Sequence, residues 1–136
     1  MPPVLRGLLE AALYVTDLRR AIAFYRSVLC LKLLGEFDAE RGAAFAIGDS
    51  VLLLFRVEDA RRGGDLPPHG AVGAGHVAFA ISAGDRLDWK LWLIESGVAI
   101  EAERQFGRQP ASLYFRDPDG NLLELAVPEI WSGDRP

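Results

Sequence analysis

Cysteine is nearly absent from this chain: Cys30 is the only one in 136 residues. One thiol excludes an internal disulfide and any zinc site built on several cysteines. Lysine is almost as scarce, Lys32 and Lys90 being the only two among 15 basic residues. Long apolar runs are missing as well. The longest strongly apolar stretch is Val51–Phe55, against the roughly 20 residues that a membrane-spanning helix needs. No signal-type apolar segment precedes the first charge at Arg6, so the expected location is the cytoplasm.

A basic stripe is also lacking. The net charge is −4, and Arg19-Arg20 and Arg61-Arg62 are the only adjacent basic pairs. Nucleic acid is therefore a poor partner on electrostatic grounds. What the chain does have is apolar content, 50% of its residues. At this length that is enough for a packed core without covalent staples.

The pattern along the chain occurs twice. Leu8–Val15 alternates like a strand, and Thr16-Asp17 offers an N-cap to a helix running to about Val28, with Leu18, Ile22 and Tyr25 on its buried face. Strands are expected near 31–37, 43–47 and 50–56. Residues 57–74, rich in glycine and carrying Pro67-Pro68, have no periodicity and read as a linker. The order then repeats: a strand over 75–81 and a helix over 85–95 with Leu87, Leu91 and Ile94 inward. Gly97 closes that helix, and strands near 98–102, 111–116 and 122–127 follow. Asp117-Pro118-Asp119-Gly120 is a strong turn before the last of these. An internal βαβββ duplication is the most economical account. It gives module one at about 8–56, a linker at 57–74, module two at about 75–127 and a tail at 128–136.

Three ionisable residues interrupt faces that should be apolar. Alternation groups Glu10 with Ala12 and Tyr14, His76 with Ala78 and Ala80, and Glu124 with Leu122 and Ala126. Small neighbours leave room beside each polar group, and a buried carboxylate needs a cation or a proton. Together the three form a plausible metal-ligand set. A solvent-facing Glu10 and a hydrogen-bonded core His76 fit the spacing equally well.

At these residues the sequence resembles the vicinal oxygen chelate superfamily, which includes glyoxalase I, bleomycin-resistance proteins, fosfomycin-resistance enzymes and extradiol dioxygenases. The resemblance lies in LEAALYVTDLRRAIAFYRSVLCLKLL (9–34), GHVAFAI (75–81) and SLYFRDPDGNLLELAVP (112–128). It implies an α+β fold of two tandem βαβββ modules forming a curved, cleft-enclosing mixed sheet. It also implies a metal site of Glu10, His76 and Glu124, with Glu10 standing where the family commonly has His. The fourth position of a glyoxalase I set falls on Leu53, which makes that activity doubtful. Two carboxylates favour one Mn²⁺ or Fe²⁺ per site over Zn²⁺.

The resemblance further implies a metal-dependent lyase, isomerase or dioxygenase acting on a small, partly apolar substrate, with Glu10 or Glu124 available as general base. Tyr14, Phe45, Leu53, Phe55, His69, Tyr114 and Arg116 are the expected substrate contacts. Arg116 would orient an anion or else pair with Asp117 or Asp119. A homodimer with shared sites is expected. The alternative is a metal-free binding protein of the bleomycin-resistance type. Fosfomycin-type thiol transfer would want more cationic residues near the metal than these scattered arginines supply. Cys30, where relatives often have Gly, reads as packed and inert.

Overall fold

Alternating side chains from Glu10 to Val15 produce the first strand, β1, whose Leu13 and Val15 are buried while Glu10 is exposed. The computed structural model describes residues 1–132, so residues 133–136 of the expected tail lie outside the described residues. Asp17 then caps α1 (Leu18–Ser27), its carboxylate accepting from the backbone N–H of Arg20 at 3.1 Å. Leu18, Ala21, Ile22 and Tyr25 form the helix's buried face, as the spacing requires. Burying a side chain of that size contributes roughly 1.5–3 kcal/mol.

The chain forms two compact units, Met1–Val72 and Gly73 onward. In the first unit β2 (Lys32–Glu36), β3 (Gly42–Ile47) and β4 (Ser50–Arg56) follow α1. The sheet order is β1-β4-β3-β2, with β1 and β4 parallel and the other pairs antiparallel. In the second unit β5 (His76–Ala80), α3 (Arg86–Glu95), β6 (Ala102–Phe106), β7 (Gln109–Arg116) and β8 (Leu122–Ala126) repeat that plan. Their order is β5-β8-β7-β6, again with the first pair parallel. Two four-stranded mixed sheets with helices make this an α+β fold of tandem βαβββ modules. No helix among the described residues is long and apolar enough to cross a membrane.

Four local expectations need correction. The segment expected to be a linker begins with a short helix, α2 (Val57–Arg62), which Ala60 anchors by its burial. An ion pair from Arg56 to Asp59 holds its first turn. On α3 the inward residue is Leu93, fully buried, whereas Leu87, Leu91 and Ile94 are each more than half exposed. The sixth strand starts at Ala102 rather than near 98. Its polar sequence Ala-Glu-Arg-Gln-Phe is exposed throughout, so it lacks the alternation that marks a half-buried strand. Cys30 is exposed rather than packed, in a left-handed backbone at φ +55°. Such a conformation suits Gly. Gly97 behaves as expected, closing α3 at φ +79°.

Candidate functional site

The duplicated plan puts equivalent residues at equivalent places in each sheet. Glu10 opens β1 and His76 opens β5. Two residues on, Ala12 pairs with Leu53 of β4, and Ala78 pairs with Glu124 of β8. Leu53 is therefore the counterpart of Glu124 by register, with an apolar side chain where the second unit has a carboxylate.

In the second unit His76 and Glu124 meet, with Nε2 and Oε1 3.3 Å apart. The imidazole is about half exposed, whereas Glu124 is 7% exposed between Leu123 and Leu125. The other ring nitrogen, Nδ1, lies 3.0 Å from the Leu122 carbonyl oxygen. A carbonyl can only accept, so Nδ1 carries the proton and Nε2 is the nitrogen aimed at the carboxylate. A neutral Nε2 and a carboxylate oxygen are both acceptors, so a proton on either partner or a metal ion between them is what can join them.

The donor set fits a metal ion. Two ligands at about 2.1 Å from one divalent cation stand about 3 Å apart when adjacent in its shell. A backbone carbonyl on the far nitrogen of a ligating histidine is the usual way its tautomer is fixed. Within either unit, however, no group of three His, Cys, Asp or Glu side chains gathers among the described residues. The pair thus offers two protein ligands, and Glu10 belongs to the first unit.

The turn before β8 holds His76 in place. Asp117 and Asn121 are both buried. One Asp117 oxygen accepts the N–H groups of Asp119 and Asn121 at 2.9 Å each, and Asn121 Nδ2 donates to the other at 2.9 Å. Asn121 Oδ1 accepts from the N–H of Gly75 at 2.8 Å, and Leu122 N–H donates to the Gly75 carbonyl. The residue before His76 is thereby clamped to the strand carrying Glu124. The sequence marked Asp117–Gly120 only as a turn, because its long-range partner Gly75 is invisible in local spacing.

Tyr114, paired across the strands with Glu124, stacks on the His76 ring at 6.4 Å between centroids. With Phe106, Ala126 and Trp131 they line a cavity of about 660 Å³. Arg116 is committed elsewhere, its Nη2 3.0 Å from Glu101 and its Nη1 donating to the Gly120 carbonyl at 3.0 Å. Its partner is Glu101, not the Asp117 or Asp119 that the sequence suggested.

The first unit has a cavity of about 610 Å³ against β1 and β4. Glu10, Ala12, Leu53 and Phe55 line it, as the alternation of both strands requires, and His69 joins them from the segment after α2. Tyr14 stands behind this wall, stacked on Phe55 at 6.4 Å, with its hydroxyl 2.6 Å from His69 Nδ1. Phe45, expected on the cavity wall, is on the opposite face. It pairs with Leu52, is fully buried and packs 5.9 Å from the Tyr25 ring of α1. Phe37, Arg41 and Leu66 also line the cavity and were not singled out from sequence. They sit in turns and loops, where periodicity carries no signal.

A family model described as the Glyoxalase/Bleomycin resistance protein/Dioxygenase superfamily matches residues 7–125, nearly the whole chain. The chain belongs to this superfamily. It is 32% identical over 123 residues to "Metallothiol transferase FosB" of Staphylococcus epidermidis, covering 90% of this chain and 84% of that one. It is also 32% identical over 124 residues to "Glutathione transferase FosA" of Serratia marcescens, covering 91% and 82%. Among solved structures, a lactoylglutathione lyase from Agrobacterium tumefaciens superposes with a TM-score of 0.88 at 32% identity, covering 98% of this chain and all of that one. Superfamily membership accords with the duplicated βαβββ plan.

Proposed function

We propose that this superfamily member is a metal-dependent enzyme whose divalent ion, Mn²⁺ or Fe²⁺ by preference, is held by His76, Glu124 and Glu10. The observation that carries this reading is the 3.3 Å approach of His76 Nε2 to the buried Glu124 carboxylate, with Nδ1 already committed to Leu122. The name of the FosB relative, a metallothiol transferase, supports a metal in this family. Glu10 has no such partner in its own unit, and we propose that it is supplied across a homodimer. When bound, the ion would supply Lewis-acid chemistry to adjacent oxygens of a small, partly apolar substrate.

The chain's own residues then have distinct tasks. Asn121 and Asp117 hold the His76 strand in register, and the Leu122 carbonyl fixes the imidazole tautomer. Tyr114 covers the ring face. Glu10, the exposed one of the two carboxylates, is the better placed to exchange protons with solvent, and we assign it the general-base role ahead of Glu124. Two carboxylates and a dication make a formally neutral centre. Leu53 supplies no fourth ligand, which argues against the lyase activity of the Agrobacterium relative and favours a three-residue set open to substrate oxygens.

The test is a Mn²⁺ titration of the full chain followed by electron paramagnetic resonance of the free aqua ion. One ion bound per chain, with binding lost in Glu124→Gln and His76→Ala, supports the reading. No uptake of Mn²⁺ or Fe²⁺ would contradict it and favour a metal-free small-molecule binder. Both cavities lie in the size range for such ligands.

A further inference from the structure

The first unit's cavity has a composition that selects a ligand class. Its walls are aromatic and apolar. The Phe37 and Phe55 rings stack at 5.6 Å, and His69 meets Phe55 edge-on at 4.7 Å. Leu53, Leu66 and Pro67 complete the lining. Phe37 and Leu66 keep 39% and 66% of their surface exposed, so apolar area at the cavity is left uncovered.

This wall is built rather than accidental. Phe37 lies over Gly42, where a Cβ would come within 2.7 Å of its ring and 2.6 Å of the Leu54 carbonyl oxygen. Only Gly lets the ring lie flat there. His69 is fixed twice, by its backbone N–H donating to the Ala60 carbonyl at 2.9 Å and by the Tyr14 hydroxyl at 2.6 Å on Nδ1. With Nδ1 engaged by Tyr14, Nε2 is the nitrogen left to meet a ligand's polar group.

The charged lining argues against an anion. Glu10, Asp59 and Asp65 line the cavity against one guanidinium, that of Arg41. Asp59 is neutralised by Arg56 outside this set, Nε to Oδ2 at 2.5 Å. That still leaves two carboxylates facing Arg41, a net negative lining that repels phosphonate or sulfonate groups.

We infer that the first unit's cavity binds the planar aromatic body of an uncharged small molecule, gripped by Phe37, Phe55 and His69, with Tyr14 as the residue that positions His69. This uses no residue of the second unit, and its charge argument holds for the metal-free chain, in which no ion neutralises Glu10.

The probe is 2-naphthol, titrated into the metal-free full chain by calorimetry and by ¹⁵N-resolved NMR. Naphthalene-2-sulfonate serves as the anion of the same shape. One naphthol should bind per chain, shifting the amides of Ala12 and His69, and the sulfonate should bind at least about tenfold more weakly. Removing one aromatic face in Phe55→Ala should weaken naphthol by about tenfold. Ala12→Leu, which fills the cavity instead of emptying the wall, should do the same in a protein that keeps its melting temperature. Tyr14→Phe should weaken it by a smaller factor, and Phe106→Ala in the second unit's cavity should leave it unchanged. No naphthol binding, sulfonate binding as tightly, shifts confined to the second unit, or indifference to both Phe55→Ala and Ala12→Leu would each overturn the inference.

Discussion

Leu53 and Glu124 hold the same place in two copies of one strand arrangement. Each pairs across a parallel ladder with an alanine two residues beyond the strand's opening ionisable residue. One copy faces its cavity with a carboxylate and the other with a hydrocarbon side chain. The duplicated plan thus carries a polar pair on one sheet and an aromatic wall on the other.

That assignment of faces has a stability consequence. Leu54 is fully buried, while its neighbour Leu53 lies half-buried on the cavity wall. Leu54→Ala should cost about 2–5 kcal/mol in urea unfolding, and Leu53→Ala less than half as much. Equal losses would show that the face assignment is wrong.

The helix turn at the base of the same cavity should respond to acid. The hydrogen bond from Arg56, reinforced by its charge, holds the Asp59 carboxyl below its ordinary range. A carboxylate whose folded pKa is depressed stabilises the fold above its unfolded pKa, and that contribution disappears as pH falls through the folded value. Asp59→Asn should therefore melt below wild type at pH 7, by a modest margin because the pair is near solvent. The gap should close as pH drops below about 4. A gap that widens in acid would refute the linkage.

The His76 ring makes a prediction of its own. Because Nδ1 donates to the Leu122 carbonyl, the neutral imidazole of the metal-free protein should be the Nδ1–H tautomer, whereas free histidine favours the other. Long-range ¹⁵N–¹H correlation at pH 9 reads this directly. A predominant Nε2–H tautomer would remove the nitrogen proposed as a ligand.

Much of this was legible in the sequence because strand alternation and helix spacing report burial locally. Leu18, Ile22 and Tyr25 fell on the buried face as spaced, and the odd polar residues Glu10, His76 and Glu124 stood out against apolar neighbours. On α3 spacing misleads, because Leu87, Leu91 and Ile94 have helical spacing yet face outward, and only Leu93 between them is buried. The face of Phe45 is not legible from its own strand, Gly-Ala-Ala-Phe-Ala-Ile, which has too little contrast to show which side is inward. Its pairing with Leu52 decides that, and pairing is a long-range fact. The Asn121–Gly75 bond was hidden for the same reason.

The central claim is that His76 and Glu124 hold a divalent ion, and a crystal structure of the Mn²⁺-soaked protein with anomalous data at the manganese edge tests it most directly. The account predicts one anomalous peak per chain, about 2.2 Å from both His76 Nε2 and a Glu124 carboxylate oxygen, with a Glu10 carboxylate as third protein ligand. Density at Glu124 without a peak, or a peak that does not touch His76, would contradict it.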